Sequence, residues 1–337
     1  MKNRQCLGKV IVLSVLAVAA LVLFHIAQVP GDEGMWTFDN LPLHQLQQRY
    51  GFTPSSAWLD HVRLASVRFN DGGSGSFVSP HGLVLTNHHV ALTQLGKVSS
   101  AEHDYVTNGF HARTSAEELK CPDLELNVLV HMEDVTKRVE SAVPPEASES
   151  AALKARKAEI ARIERESTEK TGLRSDVITL YQGGEYWLYR YKKYTDIRLV
   201  FAPEQQITFF GGDPDNFTYP RYDIDFALFR AYENGKAVES RDYLQWSAQG
   251  AADGELVFVS GNPGSTSRLD TMAQIDTQRD YSLPLRLEMY GRLLRTAPAY
   301  ADRGPEQARE TTRDIFMIEN GARRPVPTEC RHGSANG

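Results

Sequence analysis

Short apolar runs separated by turn residues follow one another between residues 65 and 260, which is typical of a chain built mainly from β-strands. Strands are predicted at 65–69, 75–79, 83–86, 124–130, 176–181, 186–191, 197–201, 226–232, 238–246 and 255–260. Glycine-containing turns at 80–82, 182–184 and 234–235 join neighbouring strands into hairpins. The pattern therefore predicts a mainly β fold with added helices.

Helical periodicity interrupts the strands at two places. A short helix is predicted over 54–63, where serines stand near its cap. A helical insertion is predicted over 146–171, with Gly172 as its stop. Its apolar positions are Leu153, Ile160 and Ile163. Because that apolar stripe is narrow and the remaining positions are polar, we interpret the insertion as a solvated surface helix.

The pattern changes from strand to helix after residue 267. Apolar residues recur at helical spacing over 268–322, at Leu283, Leu287, Tyr290, Leu294, Ile315 and Ile318. A second helix is predicted to begin near Pro305, because proline is tolerated in the first turn of a helix. Two helices cannot bury both of their faces, so we expect this segment to be the beginning of a larger helical domain.

The first 30 residues have the pattern of a targeting segment. Lys2 and Arg4 precede an apolar run over 7–27, an arrangement found in export signals and in membrane anchors. The run approaches the roughly 20 residues that span a bilayer, so a cleaved signal peptide and an uncleaved anchor both remain open. In either case we expect an exported protein that is periplasmic or is anchored in the inner membrane by residues 7–27.

Composition narrows the class of protein. The 337 residues suffice for one to three domains, and 41% are hydrophobic and 24% charged, as in an ordinary globular protein. The formal net charge is −6 and no basic block occurs, which argues against a nucleic-acid partner. Cys6 lies in the leader and Cys330 in a tail over 323–337 without apolar periodicity. We therefore predict that Cys121 is a lone thiol.

The segment from Gly72 to Val90 carries the most specific chemistry. Its glycine-rich strand, tight turn and second strand form a hairpin that ends at two adjacent histidines, His88 and His89. If the backbone stays extended there, the two side chains point in opposite directions, so one of them can serve as a general base. A structural or metal-binding pair is the alternative, although no further ligand stands at a known spacing.

A second segment supplies candidate acids. Asp225 directly precedes the apolar strand that begins at Phe226, and a histidine followed by an aspartate suits a base and the acid that orients it. Asp223 lies on the same face by alternation, so periodicity alone does not choose between the two. Asp213 and Asp215, in a turn-rich loop, are further competitors.

Four segments together resemble a known family. In chain order they read G-S-F-V-S-P-H-G-L-V-L-T-N-H-H, F-F-G-G-D-P-D-N-F-T-Y-P-R, D-F-A-L-F-R and G-N-P-G-S-T. They resemble the dipeptidyl-peptidases of serine peptidase family S46, bacterial enzymes of the periplasm or cell surface that remove dipeptides from the free amino terminus of peptides. Family members are about twice as long as this chain, and their nucleophilic serine lies in a G-N-S-G-S segment near the far end.

The resemblance implies a fold and a domain order. A chymotrypsin-like (trypsin-like) β-barrel is expected over 31–267, with the helical insertion inside it. The beginning of an all-helical domain follows over 268–322, and an atypical tail over 323–337. The second barrel of the family is missing, so the chain resembles the N-terminal half.

The resemblance also implies residue roles. His89 occupies the place of the histidine in T-A-A-H-C segments and is expected to be the base, and the family pattern matches Asp225 as its orienting acid. Asn216 and Phe217 correspond to the asparagine and aromatic residue that help hold the substrate's free α-amino group. An ordinary Asx turn is the alternative for this loop. Ser265 is not expected to be the nucleophile, because Pro263 stands where the family has a serine with a backbone donor.

The expected partners are peptides with a free amino terminus, without a cofactor and without nucleic acid. Membrane contact is expected only through the N-terminal segment, and the resemblance allows for dimers. Without the nucleophile, the chain alone is expected to be inactive. The alternative interpretation is a non-catalytic, membrane-tethered fragment or a peptide-binding pseudoenzyme.

Overall fold

The structure is a computed structural model that describes residues 34–100, 102–209, 220–262 and 270–323. Spatial contacts divide the chain into Met1–Pro42 and Leu43–Gly337. The described part of the first unit contains a turn in which the Asn40 N–H donates to the Thr37 carbonyl at 3.1 Å. The predicted leader and most of the predicted tail lie outside the described residues.

Eleven strands and ten helices make up the described part of the second unit. The strands are β1 Ser66–Phe69, β2 Ser74–Phe77, β3 Leu83–Thr86, β4 Phe110–His111, β5 Leu119–Lys120, β6 Leu126–Asp134, β7 Arg174–Leu180, β8 Glu185–Tyr194, β9 Asp196–Ala202, β10 Ala227–Glu233 and β11 Lys236–Ala237. The helices are α1 Leu43–Tyr50, α2 Ser56–Ala65, α3 His88–Val98, α4 Tyr105–Asn108, α5 Thr136–Ser141, α6 Glu149–Thr171, α7 Gln205–Thr208, α8 Met272–Thr277, α9 Leu283–Ala301 and α10 Pro305–Arg323. A 3₁₀ turn at Tyr181–Gly183 joins β7 to β8, and a π-helical turn at Gln278–Ser282 joins α8 to α9.

The described strands pair into one antiparallel sheet. Neighbours follow in the order β1, β2, β3, β10 and β9. Strand β9 also pairs with β5, and the chain runs from β5 into β6, which pairs with β1. Only the chain connection between β5 and β6, not a strand pairing among the described residues, links the two ends of this series. Strands β8 and β7 extend the sheet outward from β6.

Alternate strand residues form the main apolar core. In β10, Ala227, Phe229 and Ala231 are fully buried, and the Phe229 ring meets Phe69 edge to face with centroids 5.8 Å apart. Each large apolar side chain buried in this way contributes about 1.5–3 kcal/mol. The helix α3 closes the same core through Ala91 and Leu95. The free, buried thiol of Cys121 belongs to the core as well, as expected for a lone cysteine.

The predicted helical insertion is helix α6, and part of its apolar stripe is buried against the rest of the fold. Ser148 caps its first turn by accepting from the Ala151 N–H, and Gly172 ends it in a left-handed conformation. Ile163 packs into a second, smaller apolar cluster with residues of α5 and β8. Leu153, by contrast, remains half exposed. The apolar stripe therefore contacts α5 and β8 through Ile163.

Two strand predictions were wrong. The strand expected over 238–246 does not form, because β11 ends at Ala237 and no strand follows it there. Residues 255–260 pair with none of the described strands; Val259 is 99% exposed, and Phe258 packs on Phe52 and Trp58 instead. Their β-branched and aromatic composition suits a pleated surface, yet strand propensity is realised only where a neighbouring strand offers its edge.

The C-terminal helices bury little apolar surface within the described residues. In α8 to α10, Leu283 is the only buried hydrophobic side chain among those described. Large exposed side chains on these helices and on the turn between them are Met272, Tyr281, Leu285, Leu287, Met289, Leu293, Tyr300 and Met317. None of the described helices combines the length and apolar character needed to cross a membrane.

Gly82 in the β2–β3 turn should tolerate substitution less well than Gly235. Both have a positive φ, +69° and +73°, which costs an L-residue about 1–2 kcal/mol. A Cβ on Gly82 would also lie 2.9 Å from the Ala231 carbonyl oxygen, whereas one on Gly235 would meet no described atom within 4 Å. We expect Gly82→Ala to lower the free energy of unfolding more than Gly235→Ala in urea titrations. Equal losses would contradict this.

The helices after residue 270 should exchange their amide protons faster than the strands of the core. Isolated helices of this length are marginal in water without tertiary packing, and these bury few side chains. Hydrogen exchange followed by mass spectrometry should show less protection in α8 to α10 than in β3 and β10. Equal protection would mean that the helices bury their apolar faces in a way that the described contacts do not include.

Candidate functional site

The two histidines lie at the start of a helix, not at the end of a strand. Strand β3 ends at Thr86, Asn87 is the helix N-cap with φ −77° and ψ 151°, and α3 begins at His88. The extended backbone that was the condition for opposite side-chain directions therefore does not form here. Successive helical side chains are rotated by about 100°, so one histidine faces inward and the other outward. His88 is 3% exposed, whereas the side chain of His89 is 51% exposed.

Strand pairing brings Asp225 to the same place. Strands β3 and β10 are antiparallel neighbours in which Ala227 stands opposite Thr86. Continuing this register by two residues sets Asp225, just before β10, opposite the residue that opens α3. The hairpin and the acidic segment therefore meet because they border two paired strands.

The carboxylate of Asp225 contacts His89 twice. His89 Nδ1 lies 2.7 Å from Oδ2, and the His89 backbone N–H donates to Oδ1 at 3.0 Å. The distance between ring nitrogen and carboxylate falls within the 2.6–3.2 Å expected of a base and its orienting acid. The structure brings this predicted pair together, and the catalytic role of the two residues remains a prediction.

The contact fixes the chemistry of the imidazole. A carboxylate oxygen accepts hydrogen bonds, so Nδ1 carries a proton and Nε2 is left with its lone pair when the ring is neutral. Burial raises the pKa of Asp225, but the hydrogen bond and charge of His89 and its backbone N–H outweigh burial, and the net pKa is lowered. The acid therefore stays ionised, and the exposed edge of His89 is free to accept a proton.

His88 is held neutral behind this pair. Burial lowers its pKa from 6.5 to about 4, against the attraction of Asp225 and with added repulsion from His89. Its Nε2 is buried, and none of the described residues offers it a hydrogen-bond partner. Within the described residues, no group of three or more histidine, cysteine or acidic side chains could hold a metal ion. His88 thus fills a buried position beside the exposed pair.

The competing acid Asp223 has a different partner. Its Oδ2 accepts from Arg221 Nε at 2.7 Å, so its charge is paired outside the histidine site. Alternation could not separate Asp223 from Asp225, but the contacts do. Asp213, Asp215, Asn216, Phe217 and Ser265 lie outside the described residues, and the predictions for them stay predictions.

Sequence reasoning missed one residue of the site. Asn87 Nδ2 donates to the Asp225 backbone carbonyl at 3.1 Å and lies 3.3 Å from Oδ2. Its position directly before the histidines was visible, and asparagine is a favoured N-cap residue. That signal was hidden because the segment was interpreted as extended.

Comparisons with known proteins agree on one group of relatives. The family model for Peptidase S46 matches residues 31–326. Dipeptidyl-peptidase 7 of Capnocytophaga gingivalis is 29% identical over 293 residues, which are 82% of this chain and 41% of that protein. The Asp/Glu-specific dipeptidyl-peptidase of Porphyromonas endodontalis is 34% identical over 287 residues, or 77% of this chain and 39% of that protein.

A solved structure shares the fold. The crystal structure of Porphyromonas endodontalis DPP11 in complex with dipeptide Arg-Asp superposes with a TM-score of 0.73 at 26% identity, over 86% of this chain and 45% of that one. The chain therefore has the mostly antiparallel sheet with helices seen in that protein. It spans about two-fifths of the length of the curated relatives it matches.

The stability of the fold should fall as the pH drops from about 6.5 to about 4. Since the pKa of His88 is about 4 in the folded chain and about 6.5 when unfolded, the unfolded state binds the proton first. The free energy of unfolding then falls by at most about 3.4 kcal/mol across this window. Urea titrations from pH 7 to pH 4 should show this loss, and His88→Leu should reduce it.

His81→Gln is the matched control, because His81 is exposed in the β2–β3 turn. We expect this variant to keep the pH dependence of the unmodified chain. A His88→Leu variant with an unchanged slope of unfolding free energy against pH would contradict the assignment of His88 as a buried neutral group.

Proposed function

The chain belongs to the peptidase S46 family, and we propose on this premise that it carries the general base and the orienting acid of a serine-type dipeptidyl-peptidase. One observation supports this above all others, the 2.7 Å contact between His89 Nδ1 and Asp225 Oδ2. It leaves the other ring nitrogen of a half-exposed histidine open toward solvent. In this proposal His89 is the base and Asp225 fixes its tautomer and orientation.

The proposed reaction is acyl transfer through a serine that lies outside this sequence. His89 Nε2 takes the proton from the serine hydroxyl. At the same time the serine oxygen attacks the carbonyl carbon of the second substrate residue. The same proton passes to the nitrogen of the leaving peptide, and the C–N bond breaks. Water then attacks the ester with His89 again as base, which releases the dipeptide and restores the hydroxyl. By resemblance, the serine belongs to a G-N-S-G-S segment.

We propose that strands β1 to β6, β9 and β10 belong to a chymotrypsin-like barrel. The proposal is supported by the continuous pairing from β6 through β1, β2, β3 and β10 to β9, together with β5, which pairs with β9 and leads directly into β6. The base and acid border neighbouring strands of this barrel, as the family resemblance implies. Helices after residue 267 are then the beginning of the all-helical domain, and the second barrel lies in sequence outside this chain. The share of the relatives that the chain covers is consistent with this division.

The proposed substrates are peptides with a free amino terminus. Asn216 and Phe217 match the family residues that hold the α-amino group; an amide oxygen accepts from an ammonium and an aromatic ring packs against it. The crystal structures of the relative with the dipeptides Arg-Glu and Arg-Asp support peptide binding by this fold.

The N-terminal segment supports export, either to the periplasm or to a membrane-anchored position.

The purified chain alone should not hydrolyse dipeptidyl fluorogenic substrates above background. The proposed base and acid are present, but removing the nucleophile of such a unit abolishes almost all of its rate. Fluorescence release by the chain and by Ser265→Ala tests this. Turnover that disappears in Ser265→Ala would show that the nucleophile lies within this sequence.

A chimera tests the roles directly. Residues 31–322 would replace the matching N-terminal portion of an active family member, with a cooperative thermal transition as the check on folding. We expect the chimera to release N-terminal dipeptides, and Asp225→Asn to lower kcat by about 10⁴-fold. Asp223→Asn is the matched control, because Asp223 pairs with Arg221, and should leave kcat close to that of the parent. A folded chimera whose activity survives His89→Ala would overturn the proposal.

A further inference from the structure

We infer that Asn87 is a positioning residue that holds the Asp225 carboxylate in the orientation in which it binds His89. This inference deepens the proposed function and rests on it where catalysis is concerned. The contact itself is independent of that function. Asn87 is the residue between the end of β3 and the first residue of α3, so it is fixed from both sides.

The side-chain amide of Asn87 holds Asp225 at two points. Its Nδ2 donates to the backbone carbonyl oxygen of Asp225 at 3.1 Å and lies 3.3 Å from the carboxylate Oδ2. Both partners are acceptors, so only the NH₂ end of the amide can face them. One donor group thus ties the main chain of Asp225 to its own carboxylate, which restricts rotation of that side chain.

The side chain of Asn87 does not cap helix α3, although Asn87 holds the N-cap position. It is the N-cap of α3 by conformation, yet its side chain makes no capping hydrogen bond to the helix. Asp225 provides that cap instead, because its Oδ1 accepts from the N–H of His89, the second residue of the helix. Asp225 therefore caps the helix, and Asn87, which holds the N-cap position, binds Asp225 instead.

These contacts of the Asp225 carboxylate determine its orientation relative to the His89 ring. Oδ2 accepts from His89 Nδ1 and faces the Asn87 amide, while Oδ1 accepts from the helix. With both oxygens occupied by donors of adjacent residues, the carboxylate plane is set relative to the ring. Among the described side-chain contacts of this carboxylate, removal of the amide leaves those with His89, the residue that Asp225 is proposed to orient.

Asn87→Asp separates positioning from capping. Aspartate is as good an N-cap as asparagine, so a purely structural cap would be preserved. As a partner of Asp225, however, it replaces a donor by a second carboxylate about 3.3 Å from Oδ2, and like charges repel. Asn87→Ala removes the donor without adding charge. Asn108→Asp is the matched control, because the Asn108 amide donates to a backbone carbonyl, that of Asp104, at 3.0 Å.

NMR of the full chain, labelled at aspartate carboxyl carbons and histidine nitrogens, provides a test that needs no enzymatic activity. We expect a higher pKa of Asp225 in Asn87→Ala and a still higher one in Asn87→Asp, with no change in Asn108→Asp. The His89 Nδ1 proton should exchange with water at least about tenfold faster in both Asn87 variants, as for a weakened hydrogen bond to a charged group. An Asn87→Asp variant with unchanged Asp225 titration and proton exchange would overturn the inference.

The chimera adds a kinetic measurement. Asn87→Asp should lower kcat at least about tenfold while KM changes little, because the base is misplaced but the substrate contacts remain. Changes in the NMR measurements without a change in kcat would contradict the positioning role in catalysis. If His89→Ala leaves the chimera active, the proposed function fails while the Asn87 contact can still be established by NMR.

Discussion

The site depends on one carboxylate placed at the N-terminus of one helix. Asp225 satisfies a backbone N–H of α3 that has no partner within the helix and binds the ring of the histidine that carries this N–H. A negative charge is favourable at this end of a helix, and α3 is anchored in the core by Ala91 and Leu95. The orientation of the imidazole is therefore set by helix and sheet packing and not by the exposed surface.

The carboxylate reaches the helix because β3 and β10 are paired in one register. A second charged contact holds that pairing at the opposite end of β3. Arg230 of β10 donates to the His81 carbonyl in the β2–β3 turn at 2.8 Å and to Glu118 at 2.9 Å. Glu118 is buried and also accepts from Tyr232 at 2.7 Å, so its charge is fully partnered. A register slip would have to break this network and would move Asp225 away from α3.

Much of this arrangement could be predicted from the sequence. The short apolar run after the turn at 80–82 predicted the observed bounds of β3, and the adjacency of Asp225 to an apolar strand singled out the acid that contacts His89. What failed was the backbone between Thr86 and Val90, because a few apolar and polar residues after a strand do not distinguish continued extension from a helix start. Residues 255–260 failed for a different reason: strand propensity is local, whereas a free neighbouring edge is a property of the whole sheet.

The helical start also explains why two adjacent histidines can have opposite environments. In a strand both would stand at the same depth on opposite faces, but the turn of the helix buries His88 and exposes His89. Burial keeps His88 uncharged above its pKa of about 4, so at neutral pH it places no positive charge beside Asp225. If His88 were exposed, its protonation would compete with His89 for the same carboxylate. The burial of His88 therefore leaves His89 as the histidine that pairs with the Asp225 carboxylate.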